Sequence, residues 1–320
     1  MGFTVFVMGS TLPPPRAPIL EERDTVADER PAPIRGGISA RDSLKGILHP
    51  GEQARHRSLH RLPVGPALDR YVAWYWAVRW DLRGQPPYRA EVLSHPCVNV
   101  TFEASEEQRG GFVNGVCTAR FERELTGRGH TFGLRFHPGG FGAFTGLDVG
   151  ALRDRRLPLG AVLPGADELA GRVLAAADDE ARAALVEADL TGRVAAADPQ
   201  YDLVLAVVAA MERDRELTRV DQVTARFDIP VRTLQRLFRR YVGAGPKWVL
   251  RRYRLQDGAH LLACGRGADL AALALELGYF DQAHFCREFS AEIGMPPLEY
   301  ARNSARAPVP GHDSVVSSVR

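Results

Sequence analysis

Long side chains with planar hydrogen-bond donors recur twice, at helical spacing, in the last third of this 320-residue chain. In the first place Arg232, Gln235, Arg236, Arg239 and Arg240 lie on the faces left free by an apolar stripe of Val231, Leu234, Leu237, Phe238 and Tyr241. In the second, Gln282, Ala283, His284 and Arg287 are left free by Phe285, Phe289 and Ile293. One stripe seated on a scaffold and long donors pointing outward is the division of labour that reading base edges requires. Arginine can grip guanine with two hydrogen bonds, and glutamine can do the same with adenine. Residues early in such a helix, Arg232, Gln235 and Arg236, point into a groove. Arg239 and Arg240, nearer its end, suit phosphate, as do Lys247 and Arg251 just beyond.

The two segments are copies. At an offset of 51, Leu234 aligns with Phe285, Arg236 with Arg287, Phe238 with Phe289, Gly243 with Gly294 and Pro246 with Pro297. A repeated helix-turn-helix unit in one chain can touch two successive segments of one groove. The net charge of the whole chain is only +2. Its distribution matters more, because residues 226–254 hold nine basic side chains against Asp228 alone, a stripe suited to neutralising phosphates.

The elements that must position these side chains can be read from caps and breakers. Asp198-Pro199 opens a scaffold helix over Tyr201–Arg213, apolar at Leu203, Val204, Val207 and Val208. Thr218 and Asp221 have the spacing of a capping box and start a short helix, and residues 227–230 form its turn. Pro246 starts a helix to about Cys264, whose nineteen residues predict a length of roughly 28 Å, close to the ~34 Å of one DNA turn. Asp269 and Asp281 cap the two helices of the second unit, Gly278 supplies its turn, and Gly294 with Pro296-Pro297 ends it.

The motifs Leu234-Gln235-Arg236-Leu237-Phe238, Leu277-Gly278-Tyr279, and the run from Asp281 to Phe289 followed by Gly294-Met295-Pro296-Pro297-Leu298-Glu299-Tyr300 resemble the AraC/XylS-type transcriptional regulators. The resemblance covers about 100 residues. It implies two helix-turn-helix units joined by a long helix, promoter binding and usually activation of transcription. By position it makes Arg232, Gln235 and Arg236 the base readers of the first unit, and Gln282, Ala283, His284 and Arg287 those of the second. Pro230 stands where the family usually has a serine cap, and Ala283 can offer a base only its methyl group.

Ahead of this unit the pattern is β-rich. Alternate positions Val72, Trp74, Trp76, Val78 and Trp80 are apolar, as are Val98, Val100 and Phe102, and Phe132, Leu134 and Phe136. Short strands between Gly/Pro turns predict a small barrel or sandwich, and residues 164–193 turn helical. The three tryptophans on one face read first as core and second as the wall of an effector pocket with Arg135 and His137, to which His95 is a further polar candidate. His49, His56 and His60 fall in a loop-like stretch without ligand geometry. Tyr75-Trp76, Val113-Asn114-Gly115 and the run Phe136–Phe141 resemble a poorly characterised domain found ahead of such DNA-binding units.

The chain is therefore expected to be α+β: a disordered arm over 1–43, a β-rich barrel- or sandwich-like domain with a helical end over 44–195, an all-α DNA-binding domain over 198–303 and a disordered tail over 304–320. No nucleophile motif, phosphate loop or metal-ligand spacing is present, so neither an enzyme nor a cofactor is implied. Cys97, Cys117, Cys264 and Cys286 form no C-x-x-C pair and suit a reducing cytoplasm. No stretch approaches a membrane span. The expected partners are double-stranded promoter DNA, RNA polymerase, a small-molecule effector and a second copy of the chain. The alternative is a regulator without a ligand, whose front domain only pairs subunits or contacts proteins.

Overall fold

The computed structural model describes residues 44–194 and 198–306. The expected arm at 1–43 and most of the expected tail, 307–320, lie outside them. Residues 304–306 do not belong to a tail: they complete a helix.

The order of elements is α1 (Pro50–His56), β1 (Ser58–Leu62), β2 (Val72–Asp81), β3 (Tyr88–Val92), β4 (Asn99–Ser105), β5 (Arg109–Asn114), β6 (Phe121–Leu125), β7 (Arg128–Phe136), α2 (Gly140–Thr145), β8 (Arg156–Pro158), α3 (Leu159–Val162), α4 (Ala166–Ala175) and α5 (Asp179–Thr191). The helical part follows: α6 (Pro199–Arg213), α7 (Val220–Phe227), α8 (Val231–Leu237), α9 (Pro246–Ala263), α10 (Leu270–Glu276), α11 (Gln282–Ile293) and α12 (Pro297–Arg306). The stretch of His49, His56 and His60, expected to be loop-like, is thus mostly α1 and β1. His56 stacks on Tyr88, and His60 meets Asp179.

The strands form an antiparallel six-stranded sheet in the order β1-β2-β7-β4-β5-β8, and β3 pairs with β6 in a separate ribbon. Of the expected barrel or sandwich the sandwich form is found: the sheet does not close into a barrel, and the ribbon covers one of its faces. The other face carries the core. Tyr75, Ala77, Val100, Phe102, Phe132, Leu134 and Phe136 are buried there with Leu169, Val173 and Val186 from α4 and α5. A bulge in β2 between Val72 and Trp74, opposite Phe136 and Arg135, moves Val72 onto this core face. Beyond the bulge Trp74, Trp76, Val78 and Trp80 keep the strict alternation and face the ribbon.

That core does not stop at the sheet. It runs through Phe141, Phe144 and Val149 into Tyr201, Val204, Leu234, Phe238 and Leu250 of the first helix-turn-helix unit. A second cluster holds the other unit together around Leu262, Phe285, Phe289 and Tyr300, and it takes in Leu48 and Leu93 from the front of the chain. The sheet, the ribbon and both helical units accordingly belong to one compact body.

Candidate nucleic-acid interface and front-domain cavity

Both repeats fold as their spacing predicts. Asp198 accepts from the amide of Gln200 and opens α6, and Tyr241 Oη donates to its other oxygen at 2.6 Å, which fixes the end of the first reading helix to the scaffold. The start of α7 differs from expectation. The side chain of Gln222, not Asp221, accepts from the amides of Thr218 (3.0 Å) and Arg219 (2.9 Å), because it stands at the third helical position after Arg219. Asp228 takes a left-handed conformation in the turn (φ 49°) and Pro230 precedes α8 without a side-chain cap. After Leu237 the helix widens into one π-turn over Phe238–Val242 and ends on left-handed Gly243 (φ 79°). Asp269 accepts from the amides of Ala271 and Ala272, Asp281 from that of His284 at 2.6 Å, and α11 ends on Gly294 (φ 84°). The two helix ends 51 residues apart thus share one backbone device.

Leu234, Leu237, Phe238 and Tyr241 are buried as expected, but Val231 is 45% exposed, since the first helical position projects past the scaffold. Arg232, Gln235, Arg236, Arg239 and Arg240 are all exposed, and so is Lys247. Four members of the counted basic stripe are engaged within the protein. Arg226 pairs with Asp214, and Arg254 lies on the Tyr279 ring. Arg251 is held by Glu292 (2.9 Å) and Glu288 (3.5 Å). Arg252 is 1% exposed and donates to Thr118 O at 2.6 Å. The free stripe is narrower than the sequence count and falls on α8, the π-turn and the start of α9. In the second unit Gln282, Ala283 and Arg287 are exposed, whereas His284 is half-buried against Tyr279 and 3.4 Å from Glu288. Phe280, overlooked in the sequence, is 88% exposed just before the Asp281 cap. The available signal was an aromatic residue between a turn glycine and a cap, outside the buried stripe.

Below the ribbon lies a half-open cavity of about 230 Å³. Trp74, Trp76, Trp80 and Arg135 come together in its wall, with His95. His137 does not join them: β7 ends at Phe136, and the His137 ring turns to Asp69 O at 3.1 Å. The tryptophan face is core only in part: Trp80 is buried in a small cluster with Leu82, Ala90 and Leu125, whereas Trp74 and Trp76 line the cavity and the main core lies on the opposite face of β2. Glycines make this wall possible. Trp76 stands opposite Gly133 in the register, and a Cβ there would lie 2.5 Å from the indole, so the ring can lie flat across β7. Trp80 stands over Gly129 in the same way, its indole N–H donating to Thr126 O at 2.9 Å.

Arg135 is 7% exposed, its guanidinium 4.2 Å from the centre of the Trp74 ring, and Arg61 lies 4.6 Å from that ring. Arg135 Nε and Nη1 have no hydrogen-bond partner. Glu103, buried on the same wall, is fully engaged by Thr101 (2.8 Å), Arg123 (2.6 Å) and Arg156 (3.0 Å). Burial lowers His95 well below the usual histidine range, helped by the charges of Arg135 and Lys45. Burial likewise raises the Cys97 thiol beside Arg135 and the Tyr253 phenol. Sequence reasoning missed Arg61 and Glu103, which alternation places on the cavity face but which carry no motif, and gave Asn114 no role although it stands in a quoted motif.

The cavity rim is joined to the helix that connects the two units. Lys45 pairs with Asp257 at 2.7 Å, and fully buried Gln256 donates to Leu93 O at 2.7 Å. Arg120 from the ribbon strand's edge donates to Ile293 O at the end of α11.

Residues 223–303 match a family described as a helix-turn-helix domain, and residues 60–158 a domain of unknown function (DUF6597). An uncharacterized HTH-type transcriptional regulator of Haemophilus influenzae is 29% identical over 98 residues, 31% of this chain and 33% of that protein. The match therefore spans about a third of that relative. Among solved structures, ToxT from Vibrio cholerae overlaps 77% of this chain and 97% of its own at 11% identity with a TM-score of 0.37. A ToxT structure bound to unsaturated fatty acid overlaps 77% and 94% at 9% identity, with a TM-score of 0.36. At these values no ligand transfers to this chain. The two helix-turn-helix units, each with an exposed donor face, have the geometry of a DNA-binding module. The C-terminal part is thus similar to a helix-turn-helix domain, and the front part to a domain of unknown function. Among the described residues, no helix is long and apolar enough to cross a membrane.

Proposed function

We propose that the chain is a one-component, sequence-specific promoter regulator, an activator acting beside RNA polymerase, in which a small effector held in the front cavity sets DNA binding. The observation that carries the reading is the recurrence, 51 residues apart, of an exposed donor face on a helix seated by the same buried stripe and closed by the same left-handed glycine. Arg232, Gln235 and Arg236 read base edges in the first unit, and Gln282, Ala283 and Arg287 in the second, with His284 at the edge of the face. Arg239, Arg240 and Lys247 take phosphates; Arg251 reaches a phosphate only by leaving Glu288 and Glu292. The cavity supports the effector over a front domain that merely pairs subunits, because its rim reaches α9 through the Lys45–Asp257 and Gln256–Leu93 contacts.

Selection of bound genomic fragments followed by footprinting tests the DNA half. A protected site spanning two adjacent major-groove segments on one DNA face is expected. Absence of protection on every fragment would remove the regulator reading. A reporter on the selected promoter, with and without the protein, tests activation.

A further inference from the structure

We propose that the front cavity binds a compact organic anion, an apolar body of one or two rings bearing a single carboxylate that lies against Arg135. The inference rests on the effector reading above and names the chemical class of that effector.

The charge balance points first. Lys45, Arg57, Arg61, Arg123 and Arg135 line the cavity; Lys45 is paired with Asp257 behind the rim, and Arg123 with Glu103, the one carboxylate in the wall. The Glu103 charge is already compensated, because Arg123 and Arg156 pair with it and Thr101 donates to it. Arg135 makes no ion pair among the described residues and leaves Nε and Nη1 without acceptors, although it is more than nine-tenths buried. A guanidinium buried without a counter-charge is costly, and a carboxylate is the ligand group that matches it.

Tryptophans around a pocket could equally suggest a cage for a quaternary ammonium ion. Here the protein's own guanidiniums take that role. Arg135 and Arg61 lie on Trp74 at 4.2 and 4.6 Å, and Arg123 lies 5.4 Å from the Trp80 ring centre. A cationic ligand would meet rings already used and a wall of like charge. Most of the surface that the cavity exposes is apolar, with Trp76, Val78 and Val92 among its members, although Ser94, Asn99 and Thr131 also line it. The size follows from the volume: an apolar cavity of roughly 150 Å³ takes one benzene, and this one measures about 230 Å³. That suits a substituted ring better than a long acyl chain.

The test titrates the full chain with 4-isopropylbenzoate, its neutral amide, the matching 4-isopropylphenyl trimethylammonium ion and palmitate, read by tryptophan fluorescence. Saturable binding of the benzoate at least tenfold tighter than the amide, and no binding of the ammonium ion, is expected. Arg135→Gln should bring the benzoate to the affinity of the amide while leaving the amide unchanged, and Arg135→Lys should recover part of the preference. The comparison of probes on the unaltered chain stands even where a variant fails to fold. Amide or ammonium binding as tight as the benzoate would overturn the anion assignment and leave the effector reading intact. Palmitate binding tighter than the benzoate would overturn the compact shape. Saturable binding by none of the four would overturn this inference together with the effector half of the proposed function, whereas promoter binding, measured separately, would stand.

Discussion

Arg236 and Arg240 are one helical turn apart, both exposed and both without an ion pair among the described residues, yet they should do different work. Arg236 lies on α8, inside the part that can enter a groove, and its counterpart in the second unit is Arg287. Arg240 lies in the widened π-turn, its guanidinium 5.4 Å from the centre of the Tyr241 ring, at the helix end. Replacing Arg236 by alanine should cost about 1–3 kcal/mol and relax preference at one base pair of a randomised site library. Replacing Arg240 should weaken all sequences alike and lower the slope of log affinity against log salt by about 0.9. A uniform loss from the Arg236 change would place that side chain on phosphate. His137 shows how far a residue can stray from its sequence assignment and still matter. Burial, with Arg135 beside it, pushes its pKa down to about 4, while the bond to Asp69 O opposes the shift only in part. An unfolded histidine titrates near 6.5, so the unfolded chain takes up this proton first as pH falls. The contribution of His137 to stability is complete above that value and is lost between about pH 6.5 and 4. His137→Gln should flatten this part of the Tm against pH curve; a curve of unchanged steepness would contradict the assignment.

At the scale of elements, the two units divide the work unequally. The first carries Arg232, Arg236, Arg239 and Arg240 free, with Lys247 following, whereas the second has Arg287, its neighbours Glu288 and Glu292 already holding Arg251. Salt sensitivity should therefore sit in the first unit. Across a salt titration, Arg232→Ala is expected to flatten the slope while Gln282→Ala shifts affinity at a nearly constant slope; equal changes of slope would refute the division. What could be read in advance follows the same line. Caps, turn glycines and 3.6-residue stripes are local properties, so Asp198, Asp269, Asp281, Gly243 and Gly294 stand where the residues predict. The engagement of Arg251, Arg252 and Arg254 was illegible, because it depends on acids and carbonyls up to 134 residues away. The tryptophan strand was read for its period but not for its side. Alternation gives two faces and does not say which meets the core, and the bulge after Val72 exchanges that residue from one to the other. No period in the sequence marks Gly129 and Gly133 as the floor on which two indoles lie.

At the scale of the whole molecule, the division into a front part and a helix-turn-helix part is not matched by a division of the core. Phe144 and Val149 pack in one cluster with Tyr201, Tyr241 and Val242, and Leu48 and Leu93 sit in the cluster that holds α11. Between these two seams, buried Gln256 and Arg252 of α9 spend their hydrogen bonds on Leu93 and Thr118 of the front part. Removing either part would expose apolar surface and strand polar groups whose desolvation is already incurred, a loss of about 1–3 kcal/mol for each such group. The parts should therefore unfold together. The four tryptophans allow this to be read separately, since Trp74, Trp76 and Trp80 report on the sheet and Trp248 on α9. In urea, a Trp248→Phe chain and a chain with phenylalanine at 74, 76 and 80 should each show one transition, coincident with the loss of helical circular dichroism in the same chain. A helical signal that outlasts the sheet tryptophans would show that the reading domain stands alone. A cavity ligand would then have to act through a loose tether; with coincident transitions, any ligand that tightens the sheet against the ribbon must act on the helix between the two reading units.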